Sequence, residues 1–145
     1  MRGAELQTAI YNRLTSDAAL VAALSPVWGV APIFADVPEI NGEDNARFPY
    51  VSFGPDVETP WDTKTSFGAE ISIQIDIWSR QAGYTQVKQI GALIYQRLHF
   101  QPLTIAGATL VYARCISLSA SLDPDGRTRR GLMLFDVVSD GISYV

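Results

Sequence analysis

Histidine and cysteine, two residue types that often act in catalysis, each occur once in this sequence. His99 is the only histidine and Cys115 the only cysteine among the 145 residues. Histidine is the usual general base near neutral pH, and a histidine beside a thiol can activate it as a nucleophile. His99, however, ends a predicted helix, where a cation is favoured, and Cys115 lies within a predicted strand, where a lone cysteine is usually a small buried thiol. The sequence leaves a Cys-His site open but does not indicate one.

A second candidate for chemistry is the acidic run Asp123-Pro124-Asp125-Gly126, which imitates part of a calcium-binding loop. Such a loop needs a glutamate twelve residues from its start, and Gly131 to Asp136 is mostly apolar. An Asp-Gly pair between two extended runs is instead typical of a hairpin turn. The glycines follow no phosphate-binding pattern. We therefore predict no catalytic residue, metal site or cofactor.

The composition is typical of a globular protein without a nucleic-acid or membrane surface. Hydrophobic residues make up 48% and charged residues 18%, and 11 basic against 15 acidic residues give a net charge of −4. The basic residues are scattered except at Arg127, Arg129 and Arg130, so no basic face for DNA binding is indicated. No apolar run is long enough to span a membrane. Glu5 and Gln7 interrupt the apolar residues near the N-terminus, so we expect no signal peptide. We expect one soluble, cytoplasmic domain over residues 1–145.

The elements that would position these side chains follow from hydrophobic spacing. Leu6, Ile10 and Leu14 form the apolar stripe of a first helix over residues 4–14. Residues 15–17 supply capping oxygens, and a short helical turn over 18–24 is expected before Pro26. A second long helix is predicted from Tyr84 to His99.

Strands account for most of the remainder. The clearest signal is the alternation of Ile71, Ile73, Ile75 and Ile77 with polar residues, which predicts a central strand with one buried face. The other predicted strands are an edge strand at 33–35, an extended run at 50–57, and strands at 103–105, 109–122 and 131–138. Hairpins separated by helices indicate an α+β fold, with a curved antiparallel sheet and two helices packed on one face.

Three surfaces have more aromatic or charged residues than a bare monomer needs. Large aromatic side chains occur outside the predicted core, arginines crowd the hairpin, and acidic residues crowd a long polar loop. Complementary charge on two separate surfaces suits a head-to-tail ring. The ordinary alternatives are a tryptophan packed under a loop and, for the charges, a solvated face, which is what charge clusters usually form. The candidate interface residues are Asp36, Glu39, Glu43, Asp44 and Arg47 in the loop, Trp61, Phe67 and Trp78 among the aromatics, and Asp125, Arg127, Arg129 and Arg130 at the hairpin.

Five segments, spread from end to end, carry a resemblance to a known family. They are LQTAIYNRLTSDAALVAAL, FPYVSFG, ISIQIDIWSR, VKQIGALIYQRLH and DPDGRTRRGLMLFDV. In their order and spacing they resemble the tail-completion, or tail-terminator, proteins of long-tailed phages and gene transfer agents. No single segment is diagnostic, because each is a helix, strand or turn signal.

The resemblance implies a structural protein that works as a homo-oligomeric ring, typically a hexamer. Such a ring caps the tail tube, ends its polymerisation and offers a surface to the head connector, with DNA passing through its lumen. It implies assembly in the host cytoplasm and residence at the head-proximal end of the tail. The alternatives are a head-side connector, a tail-tube-like ring protein or, from the residues alone, a small ligand-binding domain or enzyme.

Overall fold

Six strands form one open sheet in the computed structural model, which describes residues 3–38, 45–60 and 66–143, with only the backbone of 66, 67 and 141–143. The strands are β1 (Ile33–Phe34), β2 (Tyr50–Phe53), β3 (Val57–Pro60), β4 (Ser66–Ser79), β5 (Thr109–Leu122) and β6 (Arg129–Ser143). Their order is β1-β2-β4-β6-β5. β3 lies on the same side of β4 as β2: β2 pairs with residues 75–78 of β4, and β3 pairs with residues 69–72. β5 and β1 are therefore the two ends of the main sheet.

The predicted central strand is confirmed as the middle of the sheet. β4 pairs with β2 and β3 on one side and with β6 along almost its whole length on the other. Its four alternating isoleucines are each at most 3% exposed and lie in the core. Because side chains alternate across a strand, the residues between them form the opposite face, which we call the far face.

Three helices cover the isoleucine face: α1 (Gly3–Thr15), α2 (Ala18–Ala23) and α3 (Thr85–Leu98). The predicted stripe of α1 is buried in the same core as the isoleucines. Asp17 begins α2 as its N-cap, with Oδ1 accepting the Ala19 backbone N–H at 3.3 Å. Its Oδ2 lies 3.0 Å from Nε of Arg97 on α3, so one carboxylate joins two helices.

Two glycines set the close approach of α3 to the sheet. A Cβ at Gly131 of β6 would overlap Cγ1 of Val87, and one at Gly91 of α3 would come within 2.8 Å of Cδ2 of Leu118. Larger residues at either position would push the helix away from the strands. Glycine here is a packing requirement rather than a turn signal.

The structure corrects two predictions about the strands. The sheet is not wholly antiparallel, because β1 runs parallel to β2; residues 35–49 between them are long enough to return the chain in the same direction. The strand predicted at 103–105 is absent apart from one isolated bridge between Ile105 and Ala108. Pro102 has no N–H to donate to a ladder, and Gly107 turns the chain with φ of 71°.

The long hairpin is confirmed, with β5 bounded as predicted and β6 longer than predicted. Its register shifts between Leu110 and Tyr112 and between Cys115 and Ser117, so Val111 and Ile116 are extra residues that the alternation did not reveal. Within the described ranges, no helix has the length and apolarity of a membrane span.

Candidate protein interface

The candidate interface residues divide into those that the structure describes and those that it does not. Glu39, Glu43, Asp44 and Trp61 lie outside the described residues, and Phe67 is described only as backbone within β4. The others fall at three places: Asp36 after β1, Arg47 and Trp78 on the far face, and Asp125, Arg127, Arg129 and Arg130 at the β5–β6 hairpin. The last two groups meet at one point, where Arg130 of β6 stands opposite Trp78 of β4.

Asp125 organises the hairpin turn. Its Oδ2 accepts the Thr128 hydroxyl at 2.6 Å, and its Oδ1 accepts the backbone N–H groups of Thr128 and Arg127, both at 2.8 Å. These bonds, that of the Thr128 hydroxyl first, hold the pKa of Asp125 well below its ordinary value. The Asp-Gly turn is confirmed, with Gly126 at φ of 73°, and the carboxylate is engaged within its own turn.

Arg130 belongs to an internal cluster on the far face. Its Nη2 and Nε lie 3.0 and 3.1 Å from Oδ1 of Asp76, a side chain that is 6% exposed. The same guanidinium lies over the ring of Trp78, 5.3 Å from its centroid, and Trp78 donates its indole N–H to Ser52 at 2.9 Å. Trp78 and Arg130 therefore already have partners within the chain.

Arg129, one residue earlier, is on the other face. It stands opposite Ser79 and Leu122, on the helix side, and its Nη1 donates to the Arg127 carbonyl at 2.7 Å. Strand alternation thus separates two arginines that the sequence groups together.

Arg80 is a residue that sequence reasoning missed. Its Nε donates to the Thr128 hydroxyl at 3.2 Å, and its Nη1 donates to Oδ1 of Asn45 at 2.7 Å. The guanidinium also lies over the ring of Phe48, 4.5 Å from its centroid. It joins the hairpin turn to the segment that follows the long loop. The only sequence signal was an arginine directly after a strand, two residues beyond Trp78.

Arg47 lies among aromatic side chains at the β1–β2 end of the far face. Its guanidinium lies 5.2 Å from the Phe48 ring centroid and 5.6 Å from that of Tyr50. Its carbonyl accepts the indole N–H of Trp28 at 3.0 Å, and Trp28 packs against Phe34 with ring centroids 4.8 Å apart. The loop on which Arg47 lies is thus anchored to the sheet at its C-terminal end.

The geometry does not favour a Cys-His site. His99 Nδ1 accepts the backbone N–H of Cys115 at 3.0 Å, so the imidazole contacts the backbone of Cys115 rather than its thiol. The thiol points to the Ser117 carbonyl, and burial raises the pKa of Cys115. Surface cavities of about 410 and 460 Å³ have neither residue in their linings. Among the described residues, no group of three His, Cys, Asp or Glu side chains is arranged for a metal ion.

The apolar half of β5 is the surface feature that the sequence reasoning overlooked. Ile116, Leu118 and Leu122 are 49%, 37% and 47% exposed at the end of the sheet. The signal was present in the sequence as CISLSASL, eight residues without a charge, a proline or a glycine. It was missed because the position of β5 at an edge is set by the sheet order.

Comparisons of the sequence and of the fold with known proteins agree with one another. Residues 8–140 match the sequence profile of the family described as tail completion protein gp17. The tail completion protein gp17 of Bacillus phage SPP1 is 30% identical over 97 residues, which cover 67% of this chain and 71% of that protein. A chain in the structure of the virion of a native gene transfer agent particle superposes with a TM-score of 0.80 at 25% identity, over 97% of this chain and 98% of that one.

The profile match takes in α1 from its second turn, all of α2 and α3, and strands β1 to β5 with most of β6. It therefore includes the hairpin, the far-face cluster and the β5 edge, the surfaces on which an interface was predicted. The chain belongs to the tail completion protein gp17 family, whose members are structural proteins of the tail.

Proposed function

We propose that copies of this chain form a closed ring, hexameric as the resemblance implies, at the head-proximal end of a tail. The ring caps the tail tube, ends its polymerisation and joins it to the head connector. The observation that carries the proposal is family membership over residues 8–140, supported by the whole-chain likeness to a chain of a gene transfer agent particle. Assembly in the host cytoplasm precedes incorporation into the particle.

The charge distribution supports a head-to-tail ring. The segments 31–38 and 49–60, on one side of the sheet, contain Asp36, Asp56 and Glu58. The basic residue described beside them, Arg47, lies over the rings of Phe48 and Tyr50. The hairpin at the other end contains Arg127 and Arg129, and the Asp125 carboxylate that precedes them accepts hydrogen bonds within its own turn. Opposite charges on two different surfaces of one molecule favour heterologous contacts, which close into rings.

The net charge of −4 suits a passage for DNA. A wall of the same sign as the phosphate backbone gives no counterion-release attraction, so the genome is not held in transit. The chain accordingly contacts DNA only as the lining of a lumen.

A head-side connector or a tube-like ring protein is the alternative within the same setting. The two functions differ in the neighbour that the chain binds directly, the tube protein or the portal-side adaptor. Capture of the adaptor without the tube protein, in a pull-down with the purified chain, would favour the connector. We propose no enzymatic role, because the His99 ring bonds to the backbone N–H of Cys115 while the Cys115 thiol points to the Ser117 carbonyl.

Removing the gene from the particle-producing cell tests the proposal. We expect tails of irregular length that stay separate from filled heads, and restoration of both defects by the wild-type gene. Tails of normal, uniform length attached to heads in the deletion strain would overturn it.

A further inference from the structure

Arg47 differs from the other arginines of the far face and the hairpin in what its guanidinium contacts. Its Nε is buried without a hydrogen-bond partner, and within the described ranges its guanidinium has no hydrogen bond or ion pair. Six other arginines each donate from the side chain to an oxygen of the chain: Arg13, Arg80, Arg97, Arg114, Arg129 and Arg130. A buried donor without an acceptor is rare in native proteins and costs free energy. Arg47 as a whole is half-buried, so a partner can supply an acceptor to the guanidinium from the surface.

The surroundings of Arg47 have the composition of the centre of a protein interface. Its guanidinium lies over the rings of Phe48 and Tyr50, and Trp28 packs against both Tyr50 and Phe34. Tyr50 is buried, whereas the three other aromatic side chains are only half-buried. Tryptophan, tyrosine and arginine are the residues most enriched where binding energy is concentrated. Half-buried aromatic rings around an unsatisfied cation therefore favour a contact surface.

A carboxylate is the ligand that suits this site. A guanidinium offers parallel N–H donors, and a carboxylate accepts two of them at once. A phosphate of passing DNA suits it less well, because one free arginine on a chain of net charge −4 releases few counterions. Asp36 and Asp56, both exposed on the same side of the sheet, would also repel a polyanion.

We infer that Arg47 binds a carboxylate of another protein of the tail, an inference that deepens the proposed function and rests on it. A second copy of the chain is the less suitable source. In the proposed ring, the acidic side at β1 to β3 meets the hairpin arginines of the next copy. That copy would bring positive charge towards Arg47, and like charges in contact are costly. The carboxylate therefore comes from a protein stacked on the ring rather than from the ring itself.

Carbodiimide coupling tests the contact directly, because the reagent joins an amine to a carboxylate that touches it. Arg47→Lys keeps the positive charge and supplies the amine, and it replaces the wild-type chain in the particle-producing cell. We expect mass spectrometry of treated, purified tails to find position 47 joined to an aspartate or glutamate of a second tail protein. The sequence of the linked peptide identifies that protein.

Arg114→Lys is the matched control. Arg114 also lies on the far face and over an aromatic ring, 5.7 Å from the centroid of Tyr112, but its Nη2 has Oδ2 of Asp136 at 3.5 Å. An amine at this position should couple within its own chain and not to a second protein.

The outcomes of this experiment separate the inference from the proposed function. Tails that contain Arg47→Lys but show no coupling at position 47, as expected if its ligand is DNA phosphate or nothing, would overturn the inference alone. Coupling only to a second copy, or equal coupling of Arg114→Lys to the second protein, would do the same. Tails that lack the chain would overturn the proposed function and, with it, the inference.

Loss of the guanidinium tests the same contact through assembly. Arg47→Gln removes the charge, and we expect at least a tenfold lower yield of particles in which head and tail are joined. The thermal unfolding midpoint of the purified variant should stay near that of wild type, and Arg114→Gln should give the wild-type yield. Wild-type yield from a folded Arg47→Gln chain would overturn the inference. If Arg47→Gln does not fold, the coupling result for Arg47→Lys decides.

Discussion

Arg129 and Arg130 are neighbours in sequence, yet they have different surroundings and different roles. Arg130 is bonded to Asp76 and lies over Trp78, whereas Arg129 contacts only the carbonyl of Arg127 among its described hydrogen bonds. Replacing both at once would therefore mix a folding defect with an assembly defect. At the scale of single residues, only Arg129 is suited to report on an interface.

Replacing Arg130 should destabilise the fold. Arg130→Met leaves the Asp76 carboxylate buried without its cation, and we expect the free energy of unfolding to fall by about 2 kcal/mol, less than for a fully buried pair because the Arg130 side chain is 34% exposed. Arg129→Met, the matched control, should change it by under about 0.5 kcal/mol. Urea denaturation measures both, and equal losses in the two variants would contradict this assignment.

The hairpin turn should weaken in acid. Because the pKa of Asp125 is depressed in the folded protein, its contribution to stability is complete above the unfolded-state pKa of about 3.9 and is lost as the pH falls below it. Asp125→Asn cannot titrate at this position. The stability difference between wild type and Asp125→Asn should be constant from about pH 5 to 8 and shrink below about pH 4. A difference that did not change with pH would show that the turn bonds do not involve the carboxylate charge.

At the scale of elements, the sequence predicted the features that depend on residues close together in the chain. The period of two in Ile71 to Ile77 and the Asp-Gly turn gave β4 and the hairpin, because each depends on residues close in sequence. The parallel pairing of β1, the bulges at Val111 and Ile116, and the bond of Arg130 to Asp76 depend on contacts between distant segments. Periodicity carries no information about such contacts, so the internal partners of the arginine hairpin could not be foreseen.

The central strand offers the clearest test of the packing. Ile75 is fully buried between the helices and the sheet, and Ile75→Asp would place an unpaired charge there, at a cost of about 4 kcal/mol or more. Ile75→Val, which removes one methylene, should cost about 1 kcal/mol. Thermal unfolding compares the two variants. Similar thermal unfolding midpoints for Ile75→Asp and Ile75→Val would mean that the isoleucine face is not buried in solution.

At the scale of the whole molecule, the two faces and the two ends of the sheet have separate roles. The helices and the isoleucine face make the core, and the far face holds the loop and the hairpin together through Arg47, Arg80 and Arg130. The surfaces that we propose for assembly are the acidic side at β1 to β3 and the arginines of the β5–β6 hairpin. Two complementary ends on one rigid unit are what a ring of identical subunits requires.

Electron microscopy of the purified chain mixed with its tail-tube protein tests the central claim most directly. We expect a closed ring, with six copies as the expected number, on one end of each tube, and tubes that stop growing once the ring is bound. A chain that remains monomeric in the presence of tubes, and leaves their lengths unchanged, would contradict it.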